Sequence, residues 1–188
     1  MSPAPTIRFS HIGIYVTDIE RMEAFYTRFL GFTVTDRGDL ETPRGRVELV
    51  FLSRDPTEHH QIVLATGRPE GISFNTINQL SFRVDSLTTL RTLYNGMLEG
   101  EMRDEMSEVS PACHGNALSI YVKDPEGNRL ELFIDTPWYV NQPLRVPFDF
   151  ALDDEKLWVW SEAHARTLPG FKPRAQWEQE MSVKMGFS

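Results

Sequence analysis

The sequence predicts an α+β protein of two tandem β-α-β-β-β modules, residues 1–68 and 69–137, followed by a helical C-terminal arm, 138–188. Three observations carry that prediction. The stretches "SHIGIYVTDIERMEAFYTRFLG" and "NQLSFRVDSLTTLRTLYNGMLEG" run in register 68 positions apart, so His11 matches Gln79, Val16 matches Val84 and Tyr26 matches Tyr94. Each copy is followed by strand-like runs whose last pair is joined by an Asp-Pro turn, "SRDPTEHH" and then "VKDPEGNR". Past Pro137 this pattern stops and aromatic, helix-like stretches replace it. A repeat at fixed period takes precedence over local readings, because missing it miscalls the whole fold.

The first module opens on "IRFSHIGIYV", β-branched and partly alternating as a strand should be. Thr17 stands three residues before Glu20, a capping-box spacing that starts a helix. Ile19, Met22, Phe25, Phe29 and Leu30 follow at helical spacing, and Gly31 ends the run. Three strands are expected next, in "FTVTDR", "RVELVFLS" and "HHQIVLAT". After the Gly/Pro-bearing linker "GRPEGISFNT", the second module repeats the plan with "INQLSFRV", an Asp85-Ser86 stop and a helix carrying Leu87, Leu90, Leu93, Tyr94, Met97 and Leu98. Its strands are weakly marked around "GEMRDEM" and clear in "ALSIYVK" and "RLELFID". In the arm, "PWYVNQPLRVPFDF" holds too many prolines for a central strand. The stretches "DDEKLWVWSEAHART" and "PRAQWEQEMSVKMG" read as two short helices bearing Trp158, Trp160 and Trp177. Aromatic helices of this kind pack across a core or a partner subunit, so a homodimer is expected.

Composition narrows the function classes. With 40% hydrophobic and 24% charged residues the chain has an ordinary globular make-up and is long enough to bury a core. A net charge of −8 with no basic run speaks against nucleic acid or an anionic membrane surface as partner. "MSPAPTIRFS" lacks the charged start and apolar core of a signal peptide, and no apolar stretch is long enough to span a bilayer. The single cysteine, Cys113, cannot form an internal disulfide, which fits a reducing cytoplasm. Beside His114 it reads better as a buried or incidental thiol than as a nucleophile.

The paired modules, with "HIGIYV", "FYTRFLGF" and "HGNALSIYVKDPEGNRLELF", resemble the vicinal oxygen chelate superfamily over residues 7–137. Glyoxalase I, the fosfomycin- and bleomycin-resistance proteins, methylmalonyl-CoA epimerase and the type I extradiol dioxygenases belong to it. The resemblance implies a cupped mixed sheet around one divalent metal, with ligands from the first strand of each module and from a last strand. Carried over by position, those ligands are His11, Gln79 and Glu131. Imidazole, carboxamide oxygen and carboxylate are all donors for a borderline or hard divalent ion. The counterpart of Glu131 in the first module is Val63, or Ile62 if the turn is counted differently. Either is apolar, whereas a glyoxalase I-like site wants a second carboxylate there. This chain therefore resembles the three-ligand, open-position arrangement of the ring-cleaving dioxygenases, although those enzymes carry His where this chain has Gln79. By the same resemblance Tyr121 bonds a substrate hydroxyl and His114 handles protons, a role suited to neutral imidazole.

Structural readings stand beside these. Gln79 also reads as a hydrogen-bonding core amide, and Tyr121 as plain sheet packing. The pair His59–His60 lies beside a turn, where solvated histidines are ordinary; by alternation His59 and Gln61 share the face of Val63 and line the cavity. The function implied is an Fe2+-dependent, extradiol-type ring cleavage of a catechol-like aromatic by O2, with Mn2+, Ni2+ or Zn2+ as alternative metals. A metal-dependent glyoxalase- or epimerase-like lyase or isomerase is the first alternative, and a bleomycin-resistance-type binding protein the second.

Overall fold

The computed structural model describes residues 7–43, 45–72 and 75–186. The chain divides after Asn75 into two compact units.

In the first unit β1 (Ile12–Val16) leads into α1 (Ile19–Arg28), and β2 (Thr33–Thr42), β3 (Gly45–Ser53) and β4 (Ile62–Thr66) follow. The strands lie in the order β1-β4-β3-β2, with β1 parallel to β4 and the others antiparallel. Helix α1 begins one residue later than the Thr17–Glu20 spacing suggests. Asp18 is the N-cap, and its carboxylate accepts from the Arg21 backbone N–H at 3.0 Å. An Asp oxygen there satisfies one of the first turn's orphan N–H groups. The helix buries Met22, Phe25 and Tyr26 completely, as the sheet does Val16, Val50, Leu52 and Leu64. Full burial contributes about 1.5–3 kcal/mol for each such large apolar side chain.

The second unit repeats the topology. Its β5 (Leu80–Arg83) leads into α2 (Leu87–Glu99), and β6 (Ser107–Cys113), β7 (Ala117–Lys123) and β8 (Arg129–Asp135) follow. The order is β5-β8-β7-β6, with β5 parallel to β8. Ser86 caps α2, its hydroxyl accepting from the Thr89 N–H at 3.0 Å. The weakly marked strand lies later than "GEMRDEM": a 3-10 turn, Arg103–Glu105, takes up that segment, and β6 starts at Ser107. Alternation along β7 and β8 turns Leu118, Ile120, Val122, Leu130 and Leu132 into the core. The residues between them, Ser119, Tyr121, Glu131 and Phe133, lie on the opposite face.

The arm packs onto this second unit. Two-residue strands β9 (Trp138–Tyr139) and β11 (Lys172–Pro173) pair with each other, and β10 (Val146–Pro147) extends the main sheet beyond β6. Pro147 thus sits on an edge, where a missing N–H is harmless. Helices α3 (Asp154–Arg166) and α4 (Arg174–Met185) bear three of the arm's four tryptophans, and Trp138 lies on β9. Trp158 meets Trp138 edge-to-face at 6.1 Å, and Trp177 stacks on Tyr139 at 5.2 Å. Arg91 of α2 ties the arm down, its Nε donating to Asp154 at 2.7 Å and its terminal nitrogens to the Phe150 and Leu152 carbonyls. Among the described residues no helix is long and apolar enough to cross a membrane.

Candidate active site

The sheet register gathers polar side chains around one carboxylate. Glu131 pairs with Ser81 on one side and with Tyr121 on the other, so the three lie in a row across β5, β8 and β7. Gln79 and Ser119 lie two residues from Ser81 and Tyr121, on the same face. Glu131 is only 9% exposed. Its Oε1 accepts from Ser119 Oγ and Tyr121 OH, both at 2.8 Å. Its Oε2 accepts from Gln79 Nε2 and Ser81 Oγ, both at 2.7 Å. A buried carboxylate must be paired or fully hydrogen-bonded. Here four neutral donors do that work.

Tyr121 links this carboxylate to His114. Its hydroxyl stands 2.9 Å from His114 Nε2, which is itself 3.6 Å from Glu131 Oε1. Burial first, and then the hydrogen bond to Glu131 and that group's negative charge, push the phenol up to about 12. The Arg145 guanidinium, 4.8 Å from the Tyr121 ring centre, opposes the rise. Tyr121 is therefore a protonated donor throughout the neutral range. The other His114 nitrogen, Nδ1, lies 2.6 Å from the Leu144 carbonyl oxygen. A cavity of about 290 Å³ opens over this group, walled by His114, Tyr121, Glu131, Phe133, Asp135 and Arg174. Arg174 is held there by Asp135 at 2.9 Å and by the Thr136 and Asn116 carbonyls.

The remaining candidates lie in the first unit. His11 stands one residue before β1, exposed, with Nδ1 3.2 Å from Ser10 Oγ and its ring 4.2 Å from that of His60. His59 and His60 meet through their Nδ1 atoms at 2.8 Å, and both rings pack on Phe51. Desolvation, and then the neighbouring His11 and His59, hold His60 below its usual pKa. Gln61 is engaged in the turn: its carboxamide oxygen accepts from the Arg54 N–H at 2.9 Å. Val63 pairs with Gly13 and Phe51, so it occupies the place that Glu131 holds in the second unit.

Among the described residues no three His, Cys, Asp or Glu side chains are grouped to hold a metal ion. A metal set here therefore depends on the Gln79 carboxamide. The chemistry of that set fits a divalent cation. Glu131 is a buried anion whose hydrogen-bond partners are all neutral, and a carboxamide stands 2.7 Å from it. The amide now turns Nε2 toward Glu131; half a turn of its terminal group presents the oxygen, and the two orientations have nearly the same shape.

The sequence reading named Gln79, His114, Tyr121 and Glu131, and the structure brings these four together. It missed Ser81 and Ser119, which a two-residue step from Gln79 and from Tyr121 would have found. It also missed Phe133, Asp135, Gln142 and Arg174; the last two come from the arm, where no repeat gives a register.

Comparison with known proteins follows the same lines. The family model of the Glyoxalase/Bleomycin resistance protein/Dioxygenase superfamily matches residues 8–132. Biphenyl-2,3-diol 1,2-dioxygenase 2 of Rhodococcus globerulus is 25% identical over 170 residues, covering 81% of this chain and 82% of that protein. Biphenyl-2,3-diol 1,2-dioxygenase 3 of the same organism is 30% identical over 133 residues, 69% of this chain. The chain spans 64% of that second relative, just under two thirds. Among solved structures, a glyoxylase/bleomycin resistance protein/dioxygenase domain from Frankia sp. EAN1pec matches with a TM-score of 0.55 at 20% identity, over 70% of this chain and 100% of that one. That likeness is one of fold.

Proposed function

The chain belongs to the glyoxalase/bleomycin resistance protein/dioxygenase superfamily, and we propose that it is an extradiol-type dioxygenase that cleaves a catechol-like ring. The observation that carries this reading is the hydrogen-bonded run His114–Tyr121–Glu131 on the wall of the cavity. The two biphenyl-2,3-diol dioxygenase relatives support it, and so does the apolar Val63, which leaves a single carboxylate. Within the second unit, Gln79 and Glu131 would be ligands of Fe2+.

When bound, iron supplies a place to chelate vicinal oxygens and the redox chemistry toward O2. The chain's own residues do the rest. Ser81 and Ser119 hold Glu131 by one hydrogen bond to each oxygen, which fixes the carboxylate plane. Tyr121, kept protonated by its surroundings, offers its hydrogen to an oxygen of the substrate and so orients the ring. His114 accepts or returns a proton at Nε2, the nitrogen facing Tyr121. Phe133, on the cavity wall, is an aromatic surface for a flat substrate.

The test is oxygen uptake by iron-loaded protein across a panel of catechols, with the absorbance spectrum followed. Iron-dependent uptake with a growing yellow ring-cleavage chromophore is expected. Iron bound without uptake would refute the reading. One observation favours a second reading, a metal-dependent isomerase acting through an enediolate: the donor beside Glu131 is a carboxamide, the ligand type of human-type glyoxalase. Full turnover of a small carbonyl compound with Ni2+ or Zn2+ would establish it instead.

A further inference from the structure

The cavity wall changes character along β8. Glu131, Phe133 and Asp135 alternate onto one face of the strand and all line the cavity, so a carboxylate, a ring and a second carboxylate follow in order. Glu131 has only neutral hydrogen-bond partners, whereas Asp135 is held by two guanidinium groups. Arg83 Nε stands 2.8 Å from Asp135 Oδ2, and Arg174 Nη2 donates to Asp135 Oδ1 at 2.9 Å. One negative charge is shared between two positive ones. Arg83 also lies 5.1 Å from the Phe133 ring centre. A third guanidinium, Arg145, lies 4.8 Å from the Tyr121 ring centre and donates to the neutral Ser110 hydroxyl at 3.0 Å. Three cations thus stand beside cavity-lining side chains against two carboxylates, in a chain whose net charge is −8. The local excess is positive, against the sign of the whole.

Two donors at the Asp135 end have no protein partner among the described residues. Arg174 spends its Nε hydrogen on the Thr136 carbonyl at 2.7 Å and both Nη2 hydrogens on the Asn116 carbonyl and Asp135. Both hydrogens of Nη1 remain. Asn116 accepts from Gln142 Nε2 through its Oδ1 at 3.3 Å, which leaves its Nδ2 hydrogens over as well. Arg174 and Asn116 both line the cavity. The three bonds that Arg174 does make hold its guanidinium in place, so little side-chain freedom is left to lose when a ligand arrives. A fixed guanidinium beside a carboxamide N–H2 group matches a carboxylate, whose oxygens accept from both. An uncharged substituent would cover these donors without answering them, and polar sites reject such analogues.

We propose that the catechol taken by this cavity carries an anionic substituent, a carboxylate on a short side chain, and that Arg174 and Asn116 bind it. The inference deepens the ring-cleavage reading and rests on its placement of the ring hydroxyls at Glu131 and Tyr121. Asp135 lies four residues beyond Glu131, about 13 Å along the strand. A single ring over Phe133 with its acid on a short side chain suits that span. Arg174 belongs to the arm, beyond the residues that the family model matches. The arm then selects the substrate, while the repeated module supplies the groups proposed to act on its ring.

The experiment is calorimetric titration of the full-length chain, without added metal, with 3-(3,4-dihydroxyphenyl)propionate and with its methyl ester. The two probes share a ring and a linker and differ in charge. The acid should bind about tenfold or more tightly than the ester, the usual worth of a hydrogen bond to a charged group. Arg174→Gln should abolish that preference and leave ester binding unchanged. Because Arg174 also holds the arm, Arg83→Gln is the second variant; Arg83 is exposed and touches no arm residue. Without Arg83 the Asp135 charge falls on Arg174 alone, so the acid's advantage should shrink while ester affinity stays. Equal affinity for acid and ester in the wild type overturns the proposal, as does no binding of the acid at millimolar concentration. An acid preference that survives in both variants overturns it too. Iron takes no part in the titration, so failure to cleave catechols and failure of this inference are separate results.

Discussion

Gly13, Val63 and Phe51 lie across β1, β4 and β3 of the first unit, as Ser81, Glu131 and Tyr121 lie across β5, β8 and β7 of the second. Strand for strand the two registers are equivalent. The first row has no polar side-chain atom, whereas the second is joined by hydrogen bonds of 2.7 and 2.8 Å. On the helix-facing side the copies agree: Ile62 and Leu64 in one, Leu130 and Leu132 in the other, all buried. The lesson is that the repeat preserves what the fold needs and diverges where the proposed chemistry sits. Scaffold and function are specified on opposite faces of the same strands.

The comparison can be broken first at Tyr121. Tyr121→Phe makes that end of the second row like Phe51 of the first, and His114→Gln removes the group beyond it. Each should lower kcat by about 100-fold or more, the usual worth of a placed proton donor or acceptor. Steady-state kinetics on the iron-loaded enzyme checks this; a loss under about threefold would show the two rows to be functionally alike.

The next effect is on stability. Gly115→Ala forces a Cβ to within 2.3 Å of Val140 in a left-handed backbone conformation, and it should cost about 3 kcal/mol. Urea unfolding with an unchanged slope measures it. Gly13, in the first unit, has nothing within 4 Å of such a Cβ, so Gly13→Ala is the control and should change stability by less than about 1 kcal/mol.

Ionisation sharpens the contrast further. The Tyr121 phenol is raised from 10.0 to about 12. Between those values the folded chain keeps a proton that the unfolded chain has lost. The contribution to stability is therefore complete below pH 10 and disappears as pH rises toward about 12. A phenolate absorbance titration of wild type minus Tyr121→Phe should place this ionisation well above the ordinary range. A midpoint near 10 would contradict a phenol held by burial and by the Glu131 carboxylate. The smallest effect belongs to Phe51→Tyr. It adds a hydroxyl where the facing residue is Val63, so activity should be unchanged and stability altered by about 1 kcal/mol or less.

Much of this was legible in the sequence because periodicity writes the fold twice. The match of His11 with Gln79 survives as structure: each stands one residue before the first strand of its unit. The helix-facing residues follow the same periodicity. What escaped had physical reasons. Ser81 and Ser119 are short hydroxyls whose importance emerges only once Glu131 is known to be buried between them. The strand after α2 was displaced because the 3-10 turn uses up the stretch expected to form it, and Glu108, at φ +56°, accompanies a shift of register between Ser107 and Ser110. The arm's part in the site was invisible because no second copy sets its register; most partners of Gln142 and Arg174 are backbone groups, which leave no mark in side-chain patterns.

The measurement that bears most directly on the central claim is an anaerobic Fe2+ titration of wild-type protein beside Glu131→Gln, a change that keeps shape and removes charge. The second row as metal centre predicts one ion per wild-type chain and an affinity at least about 100-fold weaker in the variant, since loss of a ligand should cost no less than loss of an outer-shell partner. Equal affinity in the two proteins would contradict it and return Glu131 to the role of a buried, hydrogen-bonded carboxylate.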